Sequence, residues 1–198
     1  MKYKLIFLIF CASLSYSQQN DNTSIQKNKS IALYYGYGFN TGLFTKASYY
    51  YKPNVYILEF KKELSIKKKI SYSLRFSAEY NSVKFCEFYI SNPCIEYQNT
   101  DIGANVSFDV SRKISESLTV YSFLGTGPHY LKTKVSRQAK GFIFSDVLAV
   151  GLAHKFYNNK YFIDVRYSLR HLSNAGIARP NVSIENHIIN IGIGRNLN

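Results

Sequence analysis

The stretch that decides the fold is ISYSLRFSAEY, residues 70–80. Its alternate positions divide into an apolar set and a polar set. The apolar set is Ile70, Tyr72, Leu74, Phe76 and Ala78. The polar set is Ser71, Ser73, Arg75, Ser77 and Glu79. Because successive side chains of a strand point to opposite faces, this pattern predicts a β-strand with one apolar and one polar face.

The same alternation recurs along the chain, for example in IGANVSFDV at 102–110. The composition agrees, with 18 Tyr, 14 Phe and only 4 Pro, since aromatic residues favour strands. We expect an all-β chain. The eight predicted strands span 30–39, 54–65, 69–80, 100–111, 117–131, 141–156, 160–171 and 184–197.

Alternation is equally consistent with a soluble barrel, apolar inside, and a membrane barrel, apolar outside. Three features favour the membrane: an export signal, Tyr-rich strand ends typical of aromatic girdles, and strands of about ten residues or more, the length of a tilted crossing. Backbone groups in lipid need partners, so the sheet must close. The prediction is an eight-stranded antiparallel transmembrane β-barrel.

The N-terminus, MKYKLIFLIFCASLSYS, has the features of a secretory signal peptide. Lys2 and Lys4 precede an apolar run at 5–14, which is shorter than the roughly 20 residues of a spanning helix. We expect cleavage near Ser17, so that 1–17 is the signal peptide and 18–198 the barrel domain.

The chain is strongly basic. Its formal net charge is +13, and loss of Lys2 and Lys4 lowers it to +11, because no acidic residue precedes Ser17. A basic surface suits a polyanion, and export favours phosphorylated lipid over nucleic acid. The run KKELSIKKK at 61–69 therefore predicts a solvated turn or a contact with anionic headgroups.

Cysteine usage also reflects export. Cys11 leaves with the signal peptide, and Cys86 and Cys94 remain. Their spacing closes a small loop in an oxidising compartment, which predicts a disulfide. Two unpaired thiols are the alternative.

The connections between predicted strands alternate in length. Those at 66–68, 112–116 and 157–159 are short, and those at 40–53, 81–99, 132–140 and 172–183 are longer. Outer-membrane barrels keep short turns in the periplasm and longer loops outside. The segment 172–183 is then the last extracellular loop.

That loop lies within RHLSNAGIARPNVSIE, residues 170–185. Strand parity predicts that His171, Ser173 and Glu185 project from the outer wall, on neighbouring antiparallel strands. Such groups need partners at a lipid surface. They form either a Ser-His-Glu triad that attacks an ester or an ordinary interfacial cluster beside a turn.

The pattern H-x-S-N-A-G, then Pro180-Asn181 and Glu185, resembles the signature of the PagL-type lipid A 3-O-deacylases, related to acyloxyacyl hydrolase-like proteins. The resemblance implies an eight-stranded barrel in the Gram-negative outer membrane that acts on lipopolysaccharide. It implies Ser173 as nucleophile, His171 as base and Glu185 as orienting acid, with no metal or other cofactor. The residues that it places near the oxyanion are Asn174, Gly176 and Asn181.

A non-enzymatic barrel for adhesion or partner binding is the alternative function. We expect no metal site for either function. His129, His154 and His187 lack partners at metal-ligand spacing. Nucleic acid is not expected as a partner. The sequence leaves homodimerisation open.

Overall fold

The computed structural model describes residues 28–39, 49–67, 69–87 and 96–197. The predicted signal peptide and Cys94 lie outside these residues. Within the described part of the chain, no helix is long and apolar enough to cross a membrane.

The described residues form an antiparallel barrel in which every strand pairs with its neighbours in sequence. The strands are β1 (Lys29–Phe39), β2 (Tyr49–Lys67), β3 (Ile70–Glu87), β4 (Tyr97–Lys113), β5 (Leu118–Leu131), β6 (Gly141–Phe156), β7 (Tyr161–Ser173) and β8 (Ile184–Leu197). Pairing of β1 with β8 closes the ring. The predicted eight-stranded barrel is confirmed.

The two faces of the strands have the predicted orientation. Phe76 and Val106 are 44% and 49% exposed on the outer wall. Arg75, Asn105 and Asp109 are buried inside. Large apolar side chains are exposed and charged side chains are enclosed, which is the reverse of the arrangement in a soluble protein and is typical of a membrane barrel.

A network of buried charges crosses the barrel interior. Glu59 accepts hydrogen bonds from Arg75 at 2.5 Å and Arg166 at 2.7 Å. Asp109 accepts from Arg75 at 2.7 Å and from Lys61 at 2.8 Å. These contacts join β2, β3, β4 and β7 through the lumen, so each charge of this network has a partner of opposite sign.

The strand ends differ most from the prediction in β2 and β3. The second was expected to begin at 54 and the third to end at 80, but they begin at Tyr49 and end at Glu87. The extensions carry inward apolar side chains that join one buried cluster. Its members are Tyr49, Tyr51, Val83, Phe85, Leu131, Val135, Ile143, Leu172 and Ile184. The interior is therefore not polar throughout, because an apolar cluster fills the end that bears the longer loops.

Cys86 lies at the far end of β3, fully buried and disulfide-bonded. Because the predicted partner Cys94 lies outside the described residues, the Cys86–Cys94 pairing stays a prediction.

Removing the shared carboxylate should destabilise the barrel. Glu59→Ala leaves Arg75 and Arg166 without their common partner, at a cost of about 3–5 kcal/mol. Urea unfolding in detergent micelles measures this. Glu116→Ala, at an exposed position between β4 and β5, is the control and should unfold like the wild type. Equal stability of the two variants would contradict a structural role for the network.

The disulfide prediction is tested by thiol labelling of denatured, unreduced protein after signal cleavage. We expect negligible labelling of the wild type. Cys94→Ser should release the Cys86 thiol for labelling. Stoichiometric labelling of the wild type would show that the bridge does not form.

Candidate active site

The pairing of β7 with β8 sets the geometry around His171. Its direct cross-strand partner is Glu185. The His171 Nδ1 atom lies 3.7 Å from Glu185 Oε1, and the two side chains are 43% and 52% exposed. This separation exceeds a hydrogen bond, yet it is close enough for the carboxylate to orient the ring and to stabilise its cation.

His171 belongs to a polar row on the outer wall. The register pairs Thr126 with Asp146, Asp146 with His171 and His171 with Glu185. The Thr126 hydroxyl donates to Asp146 Oδ1 at 2.6 Å. Asp146 was not among the predicted site residues, although the sequence contains a signal for it. Asp146 shares strand parity with Phe144, Leu148 and Val150, and a carboxylate is unexpected on that apolar face.

Ser173 is the last residue of β7, two positions beyond His171 on the same side. Its Oγ donates to Asn181 Oδ1 at 3.2 Å and accepts from the Ala175 N–H at 3.2 Å. Across the described ranges, no hydrogen bond joins Ser173 to His171. The structure thus brings Ser173 to Asn181, and His171 to Glu185, as two separate pairs.

The loop that follows Ser173 is held by side chains of asparagine. Asn181 Oδ1 also accepts from the Asn174 N–H at 3.0 Å. The buried Asn174 amide donates to Ala178 O at 2.7 Å and accepts from the Gly176 N–H at 3.0 Å. Gly176 has φ +83°, a conformation that glycine adopts without strain. In this conformation the Gly176 N–H is occupied by Asn174.

A second loop braces the first. The β5–β6 connection hydrogen-bonds to it through Ala139 N to Pro180 O at 2.9 Å and Val182 N to Arg137 O at 2.7 Å. The Arg137 guanidinium donates to the carbonyls of Val182 and Ser183 and lies 4.4 Å from the centre of the Tyr49 ring. These contacts fix the backbone on both sides of Asn181.

A surface groove of about 270 Å³ opens beside this row. Its walls combine the polar side chains Asp146, His171, Glu185 and His187 with the apolar side chains Leu124, Leu148 and Leu169. A groove with both polar and aliphatic walls suits an amphiphile. The polar head of such a molecule would lie near His171, and its hydrocarbon chain would lie along the leucines.

The other histidines have different environments. His129 is buried in the lumen, with Nδ1 2.6 Å from Asp101 Oδ1. His187 is largely buried on the outer wall, where it hydrogen-bonds Tyr167 and stacks on Phe39. Among the described residues, no cluster of His, Cys, Asp and Glu has the arrangement of a metal site.

Comparison with known proteins gives one family. The sequence profile described as Lipid A 3-O-deacylase (PagL) matches residues 23–194. No curated protein matches the chain.

Comparison with solved structures gives several similar barrels. The crystal structure of the outer membrane enzyme PagL aligns with a TM-score of 0.56 and 18% identity, over 82% of this chain and 97% of that chain. The attachment invasion locus protein Ail of Yersinia pestis gives 0.49 and 12% identity, over 86% and 97%. Neisserial surface protein A gives 0.43 and 12%, over 85% and 96%. These likenesses concern the fold.

Because the Arg137 guanidinium donates to the carbonyls of Val182 and Ser183, we expect it to protect the backbone of the loop at 174–183 from hydrogen exchange. Arg137→Met removes the guanidinium contacts and should speed backbone hydrogen exchange in this loop by roughly tenfold. Exchange mass spectrometry of the folded barrel measures it, with Arg112→Met at the opposite end of the barrel as control. Unchanged exchange in Arg137→Met would show that the loop holds its shape without the brace.

Proposed function

Because the chain belongs to the lipid A 3-O-deacylase (PagL) family, we propose that it hydrolyses the 3-O-linked acyl ester of lipid A with a Ser173-His171-Glu185 triad. The family's ester hydrolase activity and its place in the Gram-negative outer membrane carry over to this chain. The triad is the finer part of the proposal. It is supported chiefly by the 3.7 Å approach of Glu185 to His171 on the outer wall, two residues from Ser173.

The reaction begins with transfer of the Ser173 hydroxyl proton to His171 as Oγ attacks the ester carbonyl. The tetrahedral intermediate collapses, the bond between the acyl carbon and the sugar oxygen breaks, and His171 returns the proton to that oxygen. Water then attacks the acyl-serine with His171 again as base. The products are a free fatty acid and lipid A with a 3-hydroxyl group.

The first step requires a change at Ser173, whose hydroxyl points to Asn181 Oδ1 at 3.2 Å. Side chains two positions apart on one strand face are about 6.6 Å apart along the strand. A rotation about the Ser173 side-chain bond directs Oγ toward the imidazole. Catalytic hydrogen bonds commonly tighten only when substrate is bound.

Donors for the oxyanion lie in the same loop. The Ala175 N–H is 3.2 Å from Ser173 Oγ, so it is close to where a carbonyl oxygen would gain charge during attack. The side-chain amide of Asn181 is a second candidate, once Ser173 has turned away. Asn174 and Gly176 shape the loop through their mutual hydrogen bond. We assign them a supporting role in the oxyanion site.

The position of the site explains access to the substrate. His171 and Glu185 are exposed on the wall that faces lipid, level with the longer loops, where the outer leaflet carries lipid A. The leucines of the groove continue the apolar surface below them. The ester therefore reaches Ser173 without leaving the membrane.

The test is activity of purified variants on lipid A, read by mass spectrometry. Ser173→Ala should abolish release of the 3-O-linked fatty acid while the barrel keeps its heat-resistant electrophoretic mobility. His171→Asn should reduce activity as severely, and Glu185→Ala less, because an orienting acid acts through the base. Glu116→Gln, a change at a distant exposed carboxylate, is the control. Wild-type cleavage by a folded Ser173→Ala protein would refute the triad.

A further inference from the structure

His171 lies between two carboxylates. Glu185 is its direct partner on β8 and Asp146 its direct partner on β6. Directly opposed residues have Cβ atoms about 4.5–5.5 Å apart. All three side chains line the same groove, so an acid flanks the position of His171 on each of the two neighbouring strands.

The two carboxylates are held differently. Asp146 is anchored by the Thr126 hydroxyl of β5 at 2.6 Å, on the side of β6 away from His171. Glu185 is 52% exposed and approaches His171 at 3.7 Å. The acid with the shorter hydrogen bond is therefore Asp146, which the signature containing Glu185 does not include.

We propose that Asp146 is a second positioning residue for His171, opposing Glu185 across the ring and stabilising the cation that forms during ester cleavage. This inference rests on the proposed function. Asp146 stays ionised throughout, and no proton passes to it; His171 alone takes the proton of Ser173 and returns it to the sugar oxygen. Attraction between the carboxylate and the imidazolium is strengthened by the low dielectric of the adjoining lipid.

Other charges near His171 do not replace this role. Among the titratable residues that line the groove, β8 contributes Glu185 and His187, and β6 contributes Asp146. Arg170 also borders the groove, but its side chain is buried in the lumen, 3.5 Å from Asp101 and 3.9 Å from Glu79. Its charge is thus countered inside the barrel.

The test is the steady-state kinetics of Asp146→Asn on lipid A. We expect kcat to fall about fivefold with KM unchanged. Damage to the fold would instead change the heat-resistant electrophoretic mobility of the barrel. Asp146→Glu should restore most of the rate.

A double variant shows whether Asp146 and Glu185 act on the same ring. In a Glu185→Ala background, loss of Asp146 should cost at least about tenfold, since no second acid remains. Glu116→Gln, which removes a distant exposed carboxylate, is the charge-matched control. Thr126→Val, which only loosens Asp146, should give a smaller fall in kcat.

Two results would overturn the inference: wild-type kinetics for Asp146→Asn, or an effect of Asp146→Asn in the Glu185→Ala background that is no larger than its effect in the wild type. These outcomes are separable from failure of the triad. An active Ser173→Ala protein refutes the proposed function itself. An inactive Ser173→Ala protein beside a wild-type-like Asp146→Asn protein refutes only the role of Asp146.

Discussion

Hydrocarbon offers no hydrogen-bond partners to a polypeptide backbone, and every other feature of this barrel follows from that constraint. The strands must pair with one another until the ring closes, as β1 does with β8. A closed ring has one face in lipid and one in the lumen, so polar and apolar residues must alternate. Lumenal charges such as Glu59 and Arg166 then need partners across the interior. A polar group on the outer wall is correspondingly costly unless it is paired.

The polar side chains around His171 reduce that cost by pairing with one another. A threonine, an aspartate, a histidine and a glutamate occupy one level of neighbouring strands β5 to β8, each opposite the next. The level below is aliphatic on β5, β6 and β7, with Leu124, Leu148 and Leu169. Cross-strand pairing thus supplies the partners that the polar groups need, and it sets the arrangement on which the proposed triad depends. The loop at 174–183 surrounds Ser173, the proposed nucleophile.

Much of this was predictable from the sequence. The period of two assigned the outward and inward faces, and connection lengths located the longer loops. Parity also placed His171 and Glu185 on the outer wall of neighbouring strands, and the structure shows that they are directly opposed. The ends of β2 and β3 were wrong, because Tyr51 and Val83 extend them by packing into an apolar cluster, which is a tertiary contact. Asp146 was missed because its partner on β7 is 25 positions away, and the Ser173–Asn181 bond depends on contacts between two loops that no local pattern encodes.

If Ser173 is the nucleophile, it becomes covalently acylated at the outer wall during turnover. Tandem mass spectrometry of the protein quenched during turnover of lipid A detects this, with a fluorophosphonate ester as a second, irreversible probe. We expect one modified residue, Ser173, and loss of both modifications in His171→Asn. A barrel that cleaves lipid A while Ser173 stays unmodified by either reagent would contradict it.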